Sequence, residues 1–359
     1  MKNGLWILAF LCISLNLFSQ DQPNVNVGFG VHYGFLAPHN YTMRGLQQHH
    51  IRGGELEVSS TVKGNKSWHK LFRYPTFGTS LTILNLGNPD KLGTGLAIYP
   101  FIKFPLFGGD KYQLHLRTGA GLGYIEKTFD ADINNKNIAI GSHLNAFINL
   151  RLSSYIRLYK PLVMEFGLGL SHFSNGGSKA PNKGINIPTI NLSLIYELGR
   201  KNVIKRDTTP YTYPKHRVFC IAAGGVSQLT RIEERAYGVG TAQFFYDYHA
   251  SPKSSFGGGI DLMYNTLNLG RIRHDSIPIN SDLANLQVGG KVFYQFNIHR
   301  IMLPIEMGVY AFTKYKGHGY LYHRIGVRYL ATKHLVLNLT LKTHFAVAEY
   351  IEWGAGWCF

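Results

Sequence analysis

The sequence predicts an all-β protein, an antiparallel transmembrane β-barrel of the outer membrane with about 16 strands, or an 8-stranded barrel followed by a second β unit. Three observations lead there. Segments of about ten residues alternate apolar and polar side chains between Gly, Pro, Asn or Lys turns. The composition is rich in glycine (40 residues) and aromatics (13%) but only 16% charged. The chain opens on an export-like segment and closes on an aromatic strand.

In chain order, Lys2 precedes an uncharged apolar run from Leu5 to Phe18, with Ser19 at the expected cut. At about 14 residues the run is short of a spanning helix, so residues 1–19 read as a cleaved signal peptide. No later uncharged run reaches helical spanning length, and the mean hydropathy of -0.07 excludes a helical membrane protein. Candidate strands follow near 24–35, 50–62, 77–87, 94–106, 112–124, 138–152, 155–172 and 186–198, with a comparable set from Arg217 onward. In one of them Leu144, Ala146, Ile148, Leu150 and Leu152 share a face, interleaved with Asn145, Asn149 and Arg151. Near the end Leu335, Leu337, Leu339 and Leu341 alternate with Val336, Asn338, Thr340 and Lys342. The last strand puts Ile351, Trp353, Ala355, Trp357 and Phe359 on one face and Glu352 on the other, an arrangement a soluble sheet seldom shows.

The polar stretch Gly199 to His216 is either a long turn or a boundary. Residues 20–200 form one half and 201–359 further strands of the same barrel or a second β unit. A single closed barrel is the expectation, since an even strand count and closure are satisfied either way. After cleavage Cys220 and Cys358 remain, too few to staple a secreted fold and not at zinc spacing, so both are expected unpaired. A bridge between them would make the ninth and last strands neighbours. The formal charge of +17 suits an anionic surface such as lipid phosphates. No Lys/Arg run of nucleic-acid type occurs, so no nucleic-acid partner is expected; much of the excess reads as scattered solvated loop charge.

The chemistry concentrates in Phe166 to Asn186, FGLGLSHFSNGGSKAPNKGIN. Alternate residues of a strand share a face, so Phe166, Leu168, Leu170, His172 and Ser174 form one row that begins apolar and ends in a base and a hydroxyl. The opposite row, Gly167, Gly169 and Ser171, is small enough for a crowded interior. If the N-terminus lies in the periplasm, this seventh strand runs outward and sets His172 and Ser174 at the outer rim, facing lipid. On the next strand Ile190, Leu192, Leu194 and Tyr196 face outward, and Asn186 falls in that row beside His172 once the hairpin closes. Such a set suits acyl transfer: His172 draws the proton from Ser174, whose oxygen attacks an ester carbonyl, and a third residue orients the imidazole. Asn175 and the amide of Gly177 are candidates to hold the oxyanion, while Asn182 and Gly184 shape the loop.

A Ser and a His two apart are commonly only a loop start. Here they stand in a longer pattern. His-x-Ser-Asn followed by Pro-Asn-x-Gly, with His172, Ser174, Asn175, Pro181, Asn182 and Gly184, resembles the lipid A 3-O-deacylase family of outer-membrane acyloxyacyl hydrolases. The likeness covers roughly residues 24 to 198 and extends to YIEKTFD from Tyr124 and IGSHLNAF from Ile140. It implies a barrel enzyme of the Gram-negative outer membrane that removes the ester-linked 3-hydroxyacyl chain from position 3 of lipid A in lipopolysaccharide, with Ser as nucleophile and His as base, and with neither metal nor cofactor. The sequence departs from the family at the acid, two residues beyond Gly184, where it has Asn186. An Asn orients a neutral imidazole but stabilises imidazolium less than a carboxylate does.

The rival readings are a non-enzymatic barrel, channel or surface scaffold, and a lipid binder that has lost turnover with its acid. Other residues are expected to be structural. His49 and His50 lack ligand partners and read as exposed loop residues, Gly28 to Gly34 is a strand rather than a phosphate loop, and Glu165 is an interior charge.

Overall fold

Strand periodicity organises the described chain into sixteen antiparallel strands, seen in a computed structural model that describes residues 25–198, 207–233, 235–278, 282–345 and 347–359. The expected signal peptide lies outside those residues. The first eight strands are β1 (Val25–Gly34), β2 (Ile51–Thr61), β3 (Thr76–Asn85), β4 (Thr94–Gly108), β5 (Tyr112–Ile125), β6 (Leu144–Tyr159), β7 (Leu162–Ser174) and β8 (Ile185–Leu198). The second eight are β9 (His216–Gln228), β10 (Ala236–His249), β11 (Ser254–Asn265), β12 (Leu286–Ile298), β13 (Ile301–Thr313), β14 (Leu321–Leu330), β15 (Leu335–His344) and β16 (Val347–Cys358). Two short helices, α1 (Ser67–Leu71) and α2 (Leu267–His274), sit in loops.

Each set of eight closes on itself. β1 pairs β8 from Val25↔Leu198 to Gly34↔Thr189, and β16 pairs β9 from Trp353↔Gly224 to Cys358↔Phe219. The expectation of one sixteen-stranded closure is therefore corrected to two eight-stranded barrels. An eight-stranded ring has an interior that side chains can fill, and each half carries the charges to fill it. In the first barrel Glu55 and Glu57 meet Arg117, and Arg151 and Lys103 add further pairs to Glu55, Glu57 and Glu165. In the second, Arg324 bridges Asp261, Glu306 and Glu352, with Arg328 and Lys291 on Glu306. Buried carboxylates and guanidiniums persist only when paired in this way.

The outer faces are apolar. Phe29, Val31, Leu56, Val58, Ile83, Leu150 and Leu192 are exposed on the first barrel, and Phe256, Ile260, Ile305, Leu339, Trp353 and Phe359 on the second. The sequence expected a strand break near Ser153 and Ser154, whereas β6 runs through to Tyr159 and turns at Lys160 and Pro161. Ser153 is no turn residue: it is buried in the lumen and donates its hydroxyl to Glu165 Oε1 at 2.9 Å. Residues 138–143, read as part of a strand, belong to the loop before β6. Both cysteines are free. β9 and β16 are neighbours without a bridge, because Cys358 stands opposite the buried Phe219 while Cys220 stands opposite the exposed Trp357.

By contacts the chain divides into Met1–Ser174 with Gly184–Pro210, and Asn175–Lys183 with Tyr211–Phe359. The tip of the β7–β8 hairpin thus counts with the second unit.

Candidate active site

β7 follows the expected parity from Glu165 to His172, whereas Ser174, expected to face lipid in the same row, is buried at the strand end. Phe166, Leu168 and Leu170 are exposed, whereas Glu165 and Ser171 are buried in the lumen. His172, next in the exposed row, is half-buried, and Ser174 at the strand end is 9% exposed. Their cross-strand partners on β6 are Ile148 and Ala146. Two same-face residues stand about 7 Å apart along a strand.

On the other side His172 pairs in register with Asn186 of β8. Their side chains meet, His172 Nδ1 lying 2.6 Å from Asn186 Oδ1. An amide oxygen only accepts, so Nδ1 carries the proton and donates it, which leaves the lone pair on Nε2. The other end of the same amide, Asn186 Nδ2, lies 3.0 Å from His39 Nδ1. Sequence reasoning missed His39. It lies in the segment after β1, and the β1–β8 pairing that seals the barrel is what brings it to Asn186.

Gly184 explains the glycine of the motif. A Cβ there would lie 2.6 Å from His172 Cε1 and 3.2 Å from Nε2, and its φ of +74° is one that side-chain-bearing residues rarely adopt. The backbone therefore comes flush against the imidazole. Gly184 N donates to Ala139 O at 3.0 Å, so the loop between β5 and β6 fixes this approach. That loop, into which the YIEKTFD and IGSHLNAF segments run from β5 and toward β6, is anchored by buried Ala139 and Ile140 and by Asn137, whose Nδ2 donates to the carbonyls of Lys91 and Lys127. In the same loop the amides of Ile133 and Asp132 hold the Asp130 carboxyl below its ordinary range.

The hairpin tip is bonded to itself. Asn182 Oδ1 accepts from the Asn175 amide at 3.0 Å. Asn175 Nδ2 donates to Lys179 O at 2.7 Å, and Asn175 Oδ1 accepts from Gly177 N at 3.0 Å. The Gly177 amide and the Asn175 side chain are thus both engaged within the turn, and either holds an oxyanion only by exchanging its partner. Gly176 and Gly177 have φ of +65° and +90°, and a Cβ on Gly176 would strike Ile351 while one on Gly177 would strike Glu349 O.

The residues set aside stand apart from this cluster. Glu165 accepts from Lys103 Nζ at 2.5 Å in the lumen, His49 and His50 are exposed, and Gly28 to Gly34 lies in β1.

Two family descriptions match the chain in tandem: "Lipid A 3-O-deacylase (PagL)" over residues 52–194 and "Acyloxyacyl hydrolase, C-terminal domain" over residues 216–359. No curated protein matches it. Among solved structures it is similar to the Neisserial surface protein A, at 7% identity and a TM-score of 0.36 over 50% of this chain and 100% of that one. It is also similar to the siderophore receptor PirA from Pseudomonas aeruginosa, at 8% identity and a TM-score of 0.21 over 95% and 81%.

Proposed function

Because the chain belongs to the lipid A 3-O-deacylase family, whose members are ester hydrolases, we propose that it cleaves the 3-O-linked hydroxyacyl chain of lipid A at the rim of its first barrel, by Ser/His nucleophilic catalysis, in the outer membrane of a Gram-negative cell. The exposed apolar bands of β1 to β8 fit a bilayer. An N-terminus on the periplasmic side brings the end of β7 to the outer leaflet, where lipid A resides.

The observation that carries this reading is the 2.6 Å contact between His172 Nδ1 and Asn186 Oδ1, which readies Nε2 as a base. In the proposed cycle His172 Nε2 takes the proton of Ser174 Oγ as that oxygen bonds to the ester carbonyl carbon. The tetrahedral adduct collapses, the C–O bond to the sugar breaks, and His172 returns the proton to the departing sugar oxygen. Water, activated by the same base, then releases the fatty acid from Ser174. Asn175 follows Ser174 directly, and we assign its side-chain amide to the developing oxyanion, on exchange of its Lys179 partner. Asn186 keeps the imidazole oriented without supplying negative charge.

Lipid A mass spectrometry of cells expressing the wild type or Ser174→Ala tests this. The wild type should yield lipid A lighter by one hydroxyacyl chain together with free 3-hydroxy fatty acid, and the variant neither. Identical lipid A from both would reject it.

A further inference from the structure

A carboxylate offers oxygen whichever way it is turned, whereas an amide offers oxygen at one end and N–H at the other. Where Asn186 stands in for an acid, its orientation decides the chemistry. With Oδ1 toward His172, the imidazole holds its proton on Nδ1 and keeps Nε2 basic. Turned over, the amide would donate to the lone pair of Nδ1, the proton would move to Nε2, and Nε2 would no longer have the lone pair that a base requires. The two orientations differ by a half-turn about one side-chain bond.

We propose that His39 selects the productive orientation by accepting a hydrogen bond from Asn186 Nδ2 at its own Nδ1, and so acts as a positioning residue for His172. This rests on the Ser/His reading above. The contact is 3.0 Å, and the next link of the chain is the 2.6 Å bond from His172 to Asn186 Oδ1. A neutral imidazole with its proton on Nε2 presents Nδ1 purely as an acceptor, which only the NH2 end of the amide satisfies.

The backbone holds His39 in place from both sides. Beyond β1 the chain continues to bond to β8, with Phe35 N to Pro188 O at 3.3 Å and Ala37 N to the carbonyl of Asn186 itself at 2.9 Å. His39 comes two residues later, at the side chain of the residue just bonded. On its far side Asn40 Oδ1 accepts from Thr42 N at 3.0 Å, capping a 3-10 turn whose Met43 and Leu46 are buried. His39 itself is exposed, so its contact with Asn186 is polar rather than one of packing.

Two measurements on the purified full-length protein test this. In the first, lipid A hydrolysis is compared for His39→Leu, which removes the acceptor, and His39→Gln, which can supply one, each in the wild-type and Asn186→Glu backgrounds. His39→Leu should lower kcat about tenfold with KM little changed, the loss expected for one hydrogen bond, and His39→Gln should restore most of it. With the two-ended carboxylate of Asn186→Glu, His39→Leu should cost under about twofold, because no orientation is left to select. Equal losses in both backgrounds, or a His39→Gln protein as impaired as His39→Leu, would overturn the proposal. The second measurement needs no turnover: 15N NMR of His172 in the Ser174→Ala protein should report Nδ1–H, and a mixture of tautomers once His39→Leu is added. An unchanged tautomer overturns the role of His39. If the tautomer shifts but no parent protein hydrolyses lipid A, the role of His39 stands and the functional reading falls.

Discussion

Gly184 is where the candidate site is most sensitive to one atom. The only space for a Cβ is taken by the His172 imidazole 2.6 Å away. Gly184→Ala must push the ring aside as well as accept a left-handed backbone, which costs about 1 kcal/mol or more. A displacement of about an ångström at a catalytic group can lower a rate about hundredfold. We therefore expect Gly184→Ala to retain the folded barrel, read as heat-modifiable migration on a gel, and to lose about that factor in kcat; a folded variant at full rate would mean the imidazole need not sit where it does. Asn186→Glu alone should move the other way, raising kcat several-fold, because a carboxylate stabilises the imidazolium that forms in the transition state. A wild type without turnover that Asn186→Glu awakens would instead identify a lipid binder. At this scale the sequence was legible where residues share a strand face or a hairpin. His172, Ser174 and Asn186 could be aligned by counting. His39 could not, because its partner lies 147 residues away and only barrel closure brings the two together.

At the scale of elements, alternation is a local property, and most strand spans could be read from it. It failed where a polar pair mimics a turn: Ser153 and Ser154 look like a break, yet Ser153 satisfies a lumen carboxylate and the strand continues. It also could not reveal how the β7–β8 tip spends its donors, since those bonds depend on the turn's exact path. Asn182 is one of the residues that hold that path, through its acceptance of the Asn175 amide, beside Asn175 Oδ1, which accepts from Gly177 N. Asn182→Ala leaves that amide without its side-chain acceptor, a loss of about 1 kcal/mol, and should loosen the tip without unfolding either barrel. Trypsin should then cut at Lys179 or Lys183 faster than in the wild type, and kcat should fall less than in Gly184→Ala. Equal cleavage rates would show that the tip is ordered by other bonds.

For the whole molecule, the number of barrels was the least legible feature. Sixteen strands close equally well as one ring or two, and no local pattern marks β8 as the partner of β1 or β16 as the partner of β9. What distinguishes the outcomes is the interior. A sixteen-stranded ring leaves an aqueous lumen, whereas an eight-stranded one is filled by its own side chains, and here the filling is charged. In the second barrel Arg324 Nε lies 2.6 Å from Glu352 Oε2 and its Nη1 lies 2.8 Å from Asp261 Oδ2, all three fully buried. Removing one member of such a network strands the others without compensation, at about 3–5 kcal/mol. Arg324→Met should therefore lower the urea midpoint of the vesicle-inserted protein far more than Lys316→Met, which changes an exposed loop charge. The same packing sets the outcome for a channel: planar bilayers holding the wild type should show no sustained conductance, because ions would have to displace paired charges from both lumens. Steady single-channel currents from the purified wild type, with Arg324→Met no less stable than Lys316→Met, would mean that these interiors open and would favour the channel reading.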